Sequence, residues 1–303
     1  MWEIIVKAFS IIFIIALGYV MKKRGIFKVE DRKVLSNMIF MITLPCVLIS
    51  SFKSFQYSNS LIISIFVGLG INLVMLLVGY LFARKRDHST KGLYMMNCCG
   101  YNIGTFTFPF VASFLDASSM IIVAMFDIGN AIMSLGGTYA ITAGVTNTGD
   151  KGSFGEFFKR LFSSIPFITY MTMLLLSLIG IRLPAEVYTV TDLIGGATTF
   201  LVMFMIGIIF EIQIPKEDIK DVGAIVAIRY IGSLLFAILI YRYLPIPEMY
   251  RKVLMISVFA PNTAIAAVFC QKLGCKPSVA GVLNSICIPI SLVCITLLLV
   301  FIK

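Results

Sequence analysis

The sequence predicts an all-α membrane protein, with ten transmembrane helices arranged as a 5+5 inverted repeat and with helices 4 and 9 broken and crossing. Three observations predict it. Hydrophobic residues make up 59% of the 303-residue chain and charged residues only 13%, against about 25% charged in soluble domains; mean hydropathy is +0.98. Runs of roughly 20 apolar residues recur from end to end, each long enough to cross a hydrocarbon core of about 30 Å. Two of these runs, 160 residues apart, carry the same polar interruption.

Taken in order, the apolar runs predict spans at about 4–21, 34–51, 61–82, 92–114, 118–144, 164–181, 191–210, 222–241, 250–271 and 278–302. The first run is not a cleavable signal. Glu3 offsets Lys7, the basic cluster follows the apolar run, and no small-residue cleavage site precedes it. The fifth run is overlong for a simple crossing. Residues 145–163 read as a polar connecting loop between two five-helix units, 1–144 and 164–303.

Loop charge sets the orientation. Lys22, Lys23, Arg24, Lys28, Arg32 and Lys33 follow span 1, Arg84, Lys85, Arg86 and Lys91 follow span 3, and Lys151, Lys159 and Arg160 follow span 5. The loops after spans 2 and 4 hold only Lys53. The positive-inside rule then puts both termini outside the cytoplasm and the central loop within it, in a multi-pass protein of the cell membrane. The second half argues less clearly, since Arg242, Arg251 and Lys252 fall in a nominally outer loop. The same distribution accounts for the net charge of +10 without a nucleic-acid partner. Seven cysteines with a single histidine offer no metal-ligand spacing; they read as small buried thiols, and no metal or cofactor is expected.

The two interruptions align from Lys91 onto Arg251. Met95 then matches Met255, Asn97 matches Ser257, Gly100 matches Ala260 and Asn102 matches Asn262. Units with an odd number of spans enter the membrane in opposite directions, so this match reads as an inverted repeat. Unwound backbone survives in a bilayer only where it lines a protein-enclosed cavity, and paired broken helices point to a transporter's binding site. Pro261 breaks the second helix by removing an N–H. Gly100, Tyr101 and Gly104 surround Asn102 in the first, and Pro109 kinks or ends that region. Asn102, Gly104, Thr105, Pro261, Asn262 and Thr263 are the candidate substrate residues. Amides bind without a charge to desolvate, and the half-helix after each break presents free N–H groups suited to an anion. The plainer readings are a chance match of two apolar segments and a kinked helix whose Asn bonds a neighbour.

Asp127 lies well inside span 5. An intramembrane carboxyl is costly and normally faces a partner or a wet cavity. With Asn130 it is the candidate coupling site for a proton or an ion; otherwise it is a structural carboxyl bonded to span 4 or to Arg229. Arg229 is expected to snorkel to the interface, the alternatives being a pair with Asp127 or contact with an anionic substrate. Pro45 breaks span 2 and, with Gly207 in span 7, would let those spans line the cavity.

The Tyr101-Asn102-Ile103-Gly104 and Pro109 of span 4, Asp127 with Gly129 and Asn130 in span 5, and Pro261-Asn262-Thr263 in span 9 resemble the auxin efflux carrier family, in its short-loop bacterial form. The resemblance covers the whole chain. It implies a fold related to bile-acid and sodium–proton transporters, a scaffold of spans 1, 2, 6 and 7, a transport bundle of spans 3–5 and 8–10, and a homodimer formed through the scaffold. It implies small organic anions as substrates, auxins in plants and carboxylates such as malonate proposed for bacterial members. Plant members have Pro before Asn in both broken helices; here Tyr101 precedes Asn102, which changes the pocket and argues against auxin.

The sequence therefore predicts a secondary transporter of small organic anions working by elevator-type alternating access, coupled to H+, to Na+ or to the membrane potential alone. A sodium-coupled symporter of the bile-acid type is the nearest rival. A membrane receptor would need a signalling domain, for which the chain has no room unless a partner supplies it. An enzyme is not expected, because no paired intramembrane carboxylates or histidines could do acid–base chemistry.

Overall fold

The computed structural model describes residues 2–148, 154–210 and 216–301. Among these residues every regular element is helical. Six helices are long and apolar enough to cross a membrane: Val29–Ser51, Asn59–Ala83, Ser118–Thr146, Ala185–Ile209, Ile219–Tyr243 and Pro277–Phe301. The broken segments fall outside this set because each half is too short to cross alone.

In chain order, α1 is Trp2–Lys23; α2, Arg32–Met38, runs through a π-turn at Ile39–Thr43 into α3, Leu44–Ser51; and α4 is Asn59–Ala83. Next come α5 (His88–Cys98), a π-turn at Ile103–Thr107, and α6 (Phe108–Phe114). α7 (Ala117–Ile132) continues through a π-turn at Met133–Gly137 into α8 (Thr138–Thr146). After α9 (Phe154–Ser163) the chain forms α10 (Ile165–Leu178), α11 (Ala185–Gly195), α12 (Thr198–Ile209) and α13 (Ile219–Tyr243). It ends in α14 (Glu248–Val258), α15 (Ala266–Lys272) and α16 (Pro277–Phe301).

Several expectations change in detail. The overlong fifth run is resolved by its π-turn, where an extra residue per turn lets the helix re-aim. The connecting segment is not all loop, since α9 occupies its second half; positions 149–153 of it, including Lys151, lie outside the described residues. The seventh run falls within Ala185–Ile209, which a turn at Gly196 and Ala197 divides into α11 and α12. Asp87 caps α5 by accepting from the Thr90 N–H at 3.0 Å. The Thr90 hydroxyl and N–H hold its carboxyl below the usual aspartate range.

Packing divides the helices into two groups. α1 lies along α12, and α2, α3, α10, α11 and α12 pack on one another. α4, α5, α7, α8 and α13 to α16 form the second group. With lipid outside there is little hydrophobic drive between helices, so close backbone approach supplies the cohesion. A Cβ on Gly207 would overlap the Ile15 carbonyl of α1, and one on Gly129 would overlap the Ile65 carbonyl of α4. Gly207 thus serves the α1–α12 contact and does not reach the cavity. α6 packs on both α7 and α12; its Ser113 hydroxyl meets that of Thr199 at 3.1 Å, and Thr199 also donates to the Pro109 carbonyl at 3.2 Å.

Candidate functional site: a cavity at two joined helix breaks

The two interruptions meet. The Asn102 N–H donates to the Pro261 carbonyl at 2.8 Å, and an isolated antiparallel bridge joins Tyr101 and Asn262. Gly100 turns the first break with φ +77°, a left-handed conformation open to glycine at little cost. Its N–H donates to Asn72 Oδ1 at 2.7 Å. Asn130 then holds Tyr101 as a strand partner would: its Oδ1 accepts the Tyr101 N–H at 3.0 Å and its Nδ2 donates to the Tyr101 carbonyl at 2.9 Å. Asn72 Nδ2 also reaches Asn130 Oδ1 at 3.2 Å. Asn102 starts the next half-helix, its Oδ1 accepting from the Thr105 N–H at 3.2 Å and from the Thr105 hydroxyl.

These bonds divert the N–H groups of residues 101, 102 and 103 to Asn130, Pro261 and the Tyr101 carbonyl. The carbonyls of Asn97, Cys98 and Cys99, four residues earlier, therefore lose their helical donors. Arg229 replaces them. Its Nη1 donates to Asn97, Cys98 and Cys99 at 3.0, 3.1 and 3.1 Å, and its Nη2 to Gly100 and Ala260 at 3.1 and 3.2 Å. Ser233, one helical turn along α13, donates to the Val258 carbonyl at 2.6 Å. A cation thus sits where the negative ends of α5 and α14 converge. Arg229 is 2% exposed, so it does not snorkel, and it turns to the break carbonyls instead of to Asp127. Its guanidinium lies 5.1 Å from the centre of the Tyr101 ring. That contact gives the tyrosine before Asn102 a use that proline could not supply.

Beside the joined breaks is a cavity of about 580 Å³ between the two helix groups. Tyr101, Asn102, Gly104 and Thr105 line it from the first break, and Thr263, Ala264 and Ile265 from the second. Asp127, Asn130 and Ser134 form one wall, and Phe40, Tyr170 and Met205 of the other group face them. Asp127 accepts from Asn130 Nδ2 at 2.9 Å. Arg32, Lys33 and Ser164 line the mouth, on the side of the basic loops. Among the described residues, no group of three or more His, Cys, Asp or Glu side chains converges to hold a metal.

Not every expected residue reaches this space. Asn262 is fully buried; its Nδ2 donates to Asn97 Oδ1 at 3.2 Å and its Oδ1 finds no partner. Pro261 supplies the carbonyl that joins the breaks. Pro45 begins α3 beyond its π-turn, Pro109 begins α6, and neither lines the cavity. Sequence reasoning passed over Asn72 and took Arg32 and Lys33 only as topology charges. Asn72 carried a signal, as an amide midway along a 25-residue apolar helix.

Comparison with known proteins gives one family. A family model described as membrane transport protein matches residues 3–300. An uncharacterized transporter of Methanothermobacter thermautotrophicus is 22% identical over 267 residues, covering 86% of this chain and 85% of that one. An uncharacterized transporter of Methanocaldococcus jannaschii is 22% identical over 271 residues, covering 85% of each.

Proposed function

The chain belongs to the membrane transport protein family, the auxin efflux carriers, and from that premise we propose that it is a secondary transporter of small organic anions. The observation that carries the reading is the junction of two helix breaks on the wall of one cavity, joined by the Asn102 N–H to the Pro261 carbonyl. Asn102, Gly104, Thr105 and Thr263 contact the substrate carboxylate from the cavity wall. Pro261 and Asn262 hold the second break in register. Arg32 and Lys33 at the mouth raise the local concentration of anions. The 160-residue match and the meeting of its two halves support ten spans in a 5+5 inverted repeat. The two packing groups support a scaffold and a moving bundle, with the cavity between them and elevator-type exchange of its two entrances. We further propose that the protein sits in the cell membrane with both termini outside, exports its substrate, and dimerises through the scaffold.

Asp127, on the cavity wall beside Asn130, is the proposed coupling group. The Arg229 guanidinium already occupies the place where the carbonyls converge, which is where a bound cation would otherwise be held. That favours proton or potential coupling over the sodium-coupled alternative.

The test is thermal stabilisation of the purified protein across mono- and dicarboxylates, with and without sodium and at two pH values. A ligand at about 100 times its Kd stabilises by about 2.7 kcal/mol. We expect a shift with a dicarboxylate of malonate size, lost in Asn102→Ala and weakened in Asn262→Ala. A shift with sodium alone would favour the symporter, and no shift with any anion would remove the anion reading. Parental binding in both variants would overturn the site.

A further inference from the structure

The segment Cys270 to Cys275 ends α15 in a left-handed cap. Gly274 has φ +67°. The Cys275 N–H donates to the Cys270 carbonyl at 2.8 Å and the Gly274 N–H to the Gln271 carbonyl at 3.2 Å. These are the two bonds of the Schellman motif, which also brings the side chains at its two ends into contact. In most proteins that contact is a pair of apolar residues; here the two positions are cysteines, and the Cys275 S–H donates to the Leu273 carbonyl at 4.0 Å. The neighbouring Cys270 thiol draws the Cys275 thiol below its ordinary range. Cys275 is buried, but exposed Gly274 and Lys276 flank it in the turn before α16. The space is reserved for it: a Cβ on Gly92 would overlap the Cys275 sulfur.

The pair also reaches the breaks. Cys270 Sγ accepts from Asn97 Nδ2 at 3.5 Å, and Asn97 Oδ1 accepts from Asn262 Nδ2 at 3.2 Å. Two hydrogen bonds thus connect Cys270, buried at the end of α15, to the second break, and the transport reading gives this connection no role.

We propose that Cys270 and Cys275 form a reversible redox site that closes to an intramolecular disulfide and so loosens the hold of Asn97 on the break. The oxidant is a low-molecular-weight disulfide, such as oxidised glutathione. The Cys275 thiolate attacks one of its sulfurs, forming a mixed disulfide and expelling the first small thiolate. Cys270, as its proton leaves, attacks the Cys275 sulfur and expels the second. The two cysteines lose two electrons, the small disulfide gains them, and the two thiol protons end on the two released small thiols. In a reducing compartment the pair stays open. Closure redirects the Cys270 sulfur toward Cys275 and takes it from the Asn97 amide.

The test uses the full chain treated with oxidised glutathione, capped with a maleimide and digested with trypsin. Cleavage after Lys272 separates the two cysteines, so closure leaves a peptide ending at Lys272 linked to the one beginning at Leu273. We expect that linkage in the parent and in Cys294→Ser, its loss in Cys275→Ser, and its reversal by a reducing dithiol. No linkage in the parent, or linkage surviving Cys275→Ser, overturns the site. Hydrogen exchange in peptides covering residues 258–266 should quicken on oxidation of the parent but not of Cys275→Ser; equal exchange in both overturns the link to the break. Neither readout needs a transport substrate, so the outcome is independent of the anion reading.

Discussion

Replacing Arg229 by methionine keeps most of the side-chain length and removes every donor. Five carbonyls lose a hydrogen bond. For Asn97, Cys98 and Cys99 the loss is the more serious, because the N–H groups that would serve them in a helix are bonded elsewhere. Each orphaned buried carbonyl costs roughly 1–3 kcal/mol, so these three together cost about 3–9 kcal/mol. Removing the guanidinium also removes its own desolvation penalty, several kcal/mol for a buried ion. The net lies near the lower end, about 3 kcal/mol. At roughly 2–4 °C per kcal/mol for a chain approaching this size, the melting point should fall by about 6–12 °C. The assay is thermal unfolding in detergent, followed by a dye that reacts with newly exposed thiols; five of the seven cysteines are buried. Arg229→Lys should fall between parent and Arg229→Met, since an ammonium offers three donors without the planar fork. A methionine variant melting within about 2 °C of the parent would refute the claim that Arg229 satisfies the break carbonyls.

Asn72→Leu strips the acceptor from the Gly100 N–H and should cost about 1–3 kcal/mol. Its effect should be non-additive with Asn130→Leu in a double-mutant cycle, because both amides hold neighbouring residues of one break; strict additivity would separate them. Asp127→Asn should abolish the dependence of transport on a pH gradient while leaving substrate exchange intact, measured in proteoliposomes; an unchanged pH dependence would remove Asp127 from coupling. Asp87→Ala should cost about 1 kcal/mol at neutral pH through the lost helix cap. Because Thr90 lowers the folded carboxyl's pKa, the parent's advantage is present above the unfolded value and fades as pH falls through the folded one. Melting curves in acid should therefore converge, and a gap that widened there would contradict the cap.

The sequence by itself determined the membrane class, the approximate helical runs and the two breaks. Hydropathy accumulates along the chain, and Gly100 or Pro261 disrupts a helix from its own position, so both signals are local. Asn102, Thr105 and Thr263 were legible as candidate cavity residues for the same reason. Only the tertiary structure decided how the breaks are satisfied. Arg229 lies 129 residues from Gly100, and its use depends on which carbonyls have lost their donors, a fact of the crossing and not of the local sequence. Asn262 shows the limit from the other side. It aligns with Asn102 across the 160-residue offset, yet its amide turns inward to Asn97, because the side on which a broken backbone presents an amide is set by the helices packed around it. The cavity's basic mouth was equally hidden: Arg32 and Lys33 read as topology signals until α2 brought them beside the break residues.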